Sequence, residues 1–207
     1  MNKINKLFIL CPFLILGCMP KSIEEFKNIQ RIDSLKMNIY TNGGEILYSI
    51  TSPYSSYDNT SNTFKSNKTK INLFNGQKVK YIINSDKSQL SKKNKLLELT
   101  GNVEIKSKQE EYDKLNSERF IWDINETTYT LLGKVKFENN DVILSSDKAI
   151  LNSDNVIEFF NPVKYLIKND NKDAIYEINS ENAFYDINTK TVSFSSKDKR
   201  VRSKIYF

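Results

Sequence analysis

Tyr81-Ile-Ile-Asn-Ser-Asp-Lys87, followed after a polar turn by Leu96-Leu-Glu-Leu-Thr-Gly-Asn-Val-Glu-Ile105, is the stretch that decides the fold. Its second half alternates Leu97, Leu99, Val103 and Ile105 with polar neighbours, and period two with one apolar face is the mark of a half-buried antiparallel strand. The first half changes phase: Ile83 shares the phase of Ser85, whereas Leu90 shares that of Asp86. One extra residue in a strand slips the phase in this way, so a β-bulge or corner is expected at Ser85-Asp86.

The unit repeats. Asp113-Lys-Leu-Asn-Ser-Glu-Arg119, Val142-Ile-Leu-Ser-Ser-Asp-Lys148 and Tyr176-Glu-Ile-Asn-Ser-Glu-Asn182 align with it, placing Ser85, Ser117, Ser146 and Ser180 at intervals of 32, 29 and 34 residues. Each is followed by a second strand: Leu96–Ile105, Thr128–Phe137, Val156–Ile167 and Thr191–Ser196. At the centre of these second strands stand Gly101, Gly133, Asn161 and Ser196, small or turn-tolerant residues where a core side chain belongs. Corners at matching heights in both strands of every unit predict an all-β fold, an open β-jelly-roll or V-shaped antiparallel sandwich built from repeated strand pairs after a short N-terminal leader. Upstream, Glu45–Ser52 and Lys68–Phe74 read as further strands, separated by a Ser/Thr/Asn/Tyr-rich loop containing Pro53, with Glu45–Ser52 at one sheet edge.

The N-terminus reads as a lipoprotein signal peptide over residues 1–17: Lys3 and Lys6 precede an apolar run from Leu7 to Met19. That run is shorter than the roughly 20 residues of a spanning helix. It contains Ile15-Leu16-Gly17-Cys18, which resembles a bacterial lipobox and makes Cys18 the candidate acylated anchor. Residues 18–40 are expected to be a tether, with one short helix suggested by the spacing of Ile29, Ile32, Leu35 and Met37; the β domain is expected over 41–207.

Composition narrows the chemistry. The chain has no His, and its only cysteines are Cys11 and Cys18, so the domain can assemble neither a His-based nucleophilic triad nor a His/Cys metal site. No catalytic residue, cofactor or metal is expected. The formal charge of +6, or +4 without the leader, is spread among acids and Asn, which gives no nucleic-acid footprint.

The repeat motif is similar to the OstA/LptA-like repeats of bacterial lipopolysaccharide export, and the leader followed by Glu45-Ile-Leu-Tyr-Ser-Ile50 looks most like the LptC family, over about residues 41–196. Familiar members keep an uncleaved N-terminal helix, whereas this leader ends in a lipobox. The resemblance implies a periplasmic component anchored in the inner membrane, which takes lipid A acyl chains from an inner-membrane Lpt ABC transporter and passes them to an LptA-like or OstA-like jelly-roll protein through its sheet edges. The groove residues it suggests are Phe120, Trp122, Tyr129, Leu131, Phe137, Phe159, Tyr165 and Phe194, a set that would equally fill a closed core. Lys87, Arg119 and Lys148 form a basic column that reads as a charged ladder on the outer face or as candidate phosphate contacts. A structural or carbohydrate-binding lipoprotein with a filled sandwich or solenoid is the alternative function. A β-helical polysaccharide-processing enzyme stands third, weakened because its acids recur in every unit instead of converging once.

Overall fold

A three-residue step between inward side chains recurs halfway along several of the strands. In the computed structural model, which describes residues 28–41, 43–108, 113–126, 128–152, 154–168, 174–197 and 200–205, the strands are β1 (Ile29–Tyr40), β2 (Ile46–Asp58), β3 (Thr63–Asn75), β4 (Lys78–Ser91), β5 (Leu96–Ser107) and β6 (Lys114–Asp123). They continue as β7 (Thr128–Glu138), β8 (Val142–Leu151), β9 (Val156–Lys168), β10 (Ala174–Asp186), β11 (Thr191–Ser195) and β12 (Arg202–Ile205). Each strand from β1 to β11 pairs antiparallel with the next, in chain order, and β11 and β12 lie end to end along β10. The leader and Cys18 lie outside the described residues. No helix among the described residues is long and apolar enough to cross a membrane.

In β4 the buried residues are Ile83 and Ser85, then Ser88 and Leu90; in β6 they are Leu115 and Ser117, then Phe120 and Trp122. The phase slip read from sequence is therefore real, but the inserted residue sits on the neighbouring strand. Gly101 and Asn102 together face Glu118, Gly133 and Lys134 face Asp147, and Asn161 and Pro162 face Glu181. Gly101 and Asn102 take φ of 75° and 45°, and Gly133 and Lys134 take 73° and 47°. The glycines are required for a second reason: a Cβ at Gly101 would lie 2.6 Å from Asp86 Oδ2, and one at Gly133 would lie 2.5 Å from Glu118 Oε2. At the first two Ser-acid steps the acid thus folds over the glycine of the adjacent strand. Asp86 accepts a hydrogen bond from Asn102 Nδ2 at 2.8 Å, and Glu118 pairs with Lys134 at 2.6 Å.

The serine has its own task. Ser85, Ser117, Ser146 and Ser180 each donate to the backbone carbonyl two residues on, at 3.1, 3.1, 2.8 and 2.9 Å, and so bridge the kink with a bond of their own. Ser52 does the same for Tyr54 at 2.9 Å, immediately beside Pro53. Pro53 and Pro162 both lie at the kink, where a missing N–H costs least.

This line of kinks folds the single sheet over on itself. Tyr48, before the kink of β2, meets Trp122, after the kink of β6, with ring centroids 4.7 Å apart. Phe137 of β7 meets Tyr185 of β10 at 4.5 Å, again across the two halves. No Cα of one strand comes within 8 Å of a strand with which it does not pair. The halves therefore pack face to face as two leaves joined by side chains, at a separation like the ~10 Å of stacked sheets. The core lies between the leaves: Ile50, Ile71, Ile83, Leu115, Phe137 and Leu144 on one, and Leu97, Leu99, Phe120, Leu131, Phe159 and Tyr185 on the other. The expected all-β V-shaped sandwich is the observed one.

Three boundaries are corrected. Residues 29–40 are not tether or helix but strand β1, paired along its length with β2. The helix-like interval from Ile32 to Leu35 is the kink itself, marked by Ser34 at φ 56°. The Ser/Thr-rich segment around Pro53 is the second half of β2 and the first half of β3, not a loop. Consequently Glu45–Ser52 is interior to the sheet, and β1 forms the edge.

A candidate lipid cleft between the two leaves

Opposite the kink line the leaves part, and their rims enclose an apolar cleft of about 480 Å³. One wall comes from the leaf holding Leu47, Leu73, Tyr81, Ile83, Ile105 and Phe137; the other holds Phe120, Trp122, Tyr129, Leu131, Leu151 and Ile157. The register explains the second wall. Leu90, Leu97, Trp122, Tyr129, Leu151, Ile157 and Tyr185 are successive partners across β4 to β10 and form the last inward row before the hairpin turns. The preceding row, nearer the kink, is Leu99, Phe120, Leu131, Ala149, Phe159, Ala183 and Phe194. Its small residues, Ala149 and Ala183, flank Phe159 and leave its ring fully buried.

The cleft is greasy within and polar at its lip, where Asn75, Lys80, Asp113, Lys114, Asn152 and Asn155 stand. Its volume falls in the range of roughly 300–1,000 Å³ typical of small-molecule sites. Lys114 and Lys106 both pair with Glu104, at 2.6 and 2.9 Å, and hold its carboxyl below the usual range. Lys80 lies 5.1 Å from the centre of the Tyr81 ring. Burial raises the hydroxyl pKa of Tyr81 and Tyr129, and the Asp113 charge and the Tyr129 hydroxyl push Tyr81 further the same way. Both phenols are therefore neutral, one on each leaf. An apolar cavity with a thin polar lip can shelter hydrocarbon while leaving a charged or sugar headgroup in water. Among the described residues no group of three or more carboxylates or thiols is arranged to hold a metal ion.

Five of the eight groove residues suggested by sequence, Phe120, Trp122, Tyr129, Leu131 and Phe137, line this cleft. The other three are brought together elsewhere: Phe159 is fully buried in the row nearer the kink, and Tyr165 packs edge-on against Phe194 at 5.3 Å, filling the end toward β11. The basic column lies on the outside, along the kink: Lys87 pairs in register with Thr100, Thr100 with Arg119, Arg119 with Leu132, and Leu132 with Lys148. Arg119 Nε bonds Glu98 at 2.7 Å, and Lys148 rests 5.1 Å from the Phe160 ring centre, so neither reaches the cleft. Leu47, Leu73 and Ile105 join the cleft wall in addition to the groove residues the resemblance suggests. Leu73 and Ile105 share the phase of the buried Ile71 and Val103 and so carry a signal in the sequence, whereas Leu47 stands out of phase with the buried Tyr48 and Ile50 and carries none.

A family model described as "Lipopolysaccharide-assembly, LptC-related" matches residues 30–139. No curated protein sequence matches the chain. Among solved structures the chain is similar to one described as LptH, the LptA homologous periplasmic component of the lipopolysaccharide transport device from Pseudomonas aeruginosa. The two share 14% identity over 61% of this chain and 94% of that one, with a TM-score of 0.48.

Proposed function

The chain belongs to the LptC-related family of lipopolysaccharide assembly, and from that premise we propose that it is a membrane-anchored periplasmic carrier that shelters lipid A acyl chains in the cleft between its leaves. The observation that carries this reading is the apolar cleft itself, open along the rims and edged with polar side chains. Acyl chains entering it gain roughly 25 cal/mol per Å² of apolar surface removed from water, with no covalent step. The anchor in this reading is acylated Cys18 in the inner membrane, the donor an inner-membrane ABC transporter, and the acceptor a jelly-roll bridge protein. Strand addition supplies the joints, because a sheet edge offers unpaired backbone groups to a partner strand. β1 is a continuous edge of 12 residues, while β11 and β12 make a broken one of 5 and 4 residues that carries Arg202 and Lys204.

The test is extraction of the protein in mild detergent from cells that export lipopolysaccharide, followed by mass analysis of what stays bound. Lipopolysaccharide in near-equimolar amount supports the proposal. A lipid-free protein that also fails to take up lipopolysaccharide when it is supplied would overturn it.

A further inference from the structure

Trp122 is buried to 3% exposure, lines the cleft, and has an indole Nε1 that no hydrogen-bond acceptor among the described residues reaches. This is unusual for a buried donor and contrasts with the kink, where each of the four repeated serines finds a carbonyl. The ring is held firmly, edge-on to Tyr48 at 4.7 Å and tilted against Tyr129 at 5.4 Å. It occupies the last inward row before the turn after β6, one position before Asp123, at the level where the apolar interior gives way to the polar lip. A wall that met only hydrocarbon would be served as well by phenylalanine, which fills the adjacent inward position at Phe120.

Resting on the lipid-cleft reading, we propose that Trp122 is the subsite for the acyl linkage: its indole N–H, covered while the cleft is empty, is uncovered by an entering acyl chain and donates to the amide or ester carbonyl that joins that chain to its sugar. With the chain inside and the headgroup in water, that carbonyl lies at the lip, and it is an acceptor that a plain hydrocarbon lacks. Trp122 thereby sets how deep the chain sits and distinguishes acylated sugars from other greasy ligands.

The chain contains one tryptophan, so its indole N–H gives a single resonance in an ¹⁵N-labelled full-length sample. That sample is titrated, below micellar concentrations, with N-dodecanoylglucosamine and with dodecyl glucoside, which carries an ether-type linkage and no carbonyl; binding is followed independently at the leucine methyls. The amide probe should move the indole resonance downfield and the glucoside should not. Trp122→Phe should weaken the amide probe roughly three- to tenfold, the worth of one hydrogen bond, and leave the glucoside unchanged. If both probes bind and the indole responds equally to them or to neither, or if Trp122→Phe weakens both alike, the inference is wrong while the cleft reading stands. If neither probe nor lipopolysaccharide binds, the cleft reading fails and this inference with it.

Discussion

The kink line and the rims of the leaves are built on opposite rules. Along the kink the same parts recur unit after unit: a serine bonded to a carbonyl two residues on, and, where the neighbouring strand carries glycine, an acid folded over it. At the rims the corresponding positions vary, and the aromatic pair Trp122 and Tyr129 interrupts a row of otherwise mostly aliphatic residues. Repetition here records the cost of folding a sheet in two, and departure from it records what the fold is used for.

If that division is right, substitutions near the kink should cost stability, and substitutions at the rim should cost binding. The largest effect is expected for Phe159→Ala, which empties a fully buried site beside Ala149 and Ala183 and should lower unfolding stability by about 3–5 kcal/mol in urea titrations. Gly133→Ala follows at about 2–3 kcal/mol, because φ of 73° and the 2.5 Å approach to Glu118 Oε2 act together. Glu118→Ala in the same chain should restore part of that loss, and strict additivity of the two would show that the carboxylate is not the obstacle. Ser117→Ala should cost about 1 kcal/mol by removing its hydrogen bond to the Arg119 carbonyl across the kink.

At the rim the comparison is sharpened from the other side. Leu47, 39% exposed on the cleft, should tolerate Leu47→Asn within about 0.5 kcal/mol while co-purified lipid falls several-fold; a large stability loss instead would make the rim part of the scaffold. The smallest effect concerns acid. Asp58 accepts from the Ser61 side chain and the Thr60 backbone N–H, Asp186 accepts the backbone N–H groups of Thr189 and Asn188, and Glu104 is held by two lysines, so all three carboxyls titrate below their ordinary values. A carboxyl with a lowered folded pKa contributes stability that is complete above its unfolded pKa and fades as pH falls through the folded one. A mild decline should therefore set in below pH 4.5 for Glu104, and Glu104→Gln should remove its share, as read by melting temperature against pH.

Much of this was legible in the sequence because the kink leaves a local trace. A phase slip at Ser85-Asp86 and a glycine at position 101 are visible without any knowledge of partners, and they give strands, corners and the V. What stayed hidden needed distances across the fold. Nothing local says that Tyr48 faces Trp122, or that Phe159 is sealed by two alanines on neighbouring strands while Leu131, in the same inward row, opens onto the cleft. β1 looks helical in the sequence because its three-residue step from Ile32 to Leu35 imitates helical spacing, and only the identical step at Ser117 and Phe120 reveals it as one more corner. The basic column was seen as a set, but which face of the sheet it occupied, and that Glu98 meets Arg119, depended on strand pairing.

The central claim, that the inner face of the rim meets acyl chains, is tested most directly by a photo-crosslinking residue placed in β7 of cells actively exporting lipopolysaccharide. Tyr129 lines the cleft, and Thr130, its immediate neighbour, points to the opposite face of the same strand. Lipopolysaccharide adducts are expected from position 129 and none from position 130. Equal labelling at both, or none at 129 while export proceeds, would contradict it.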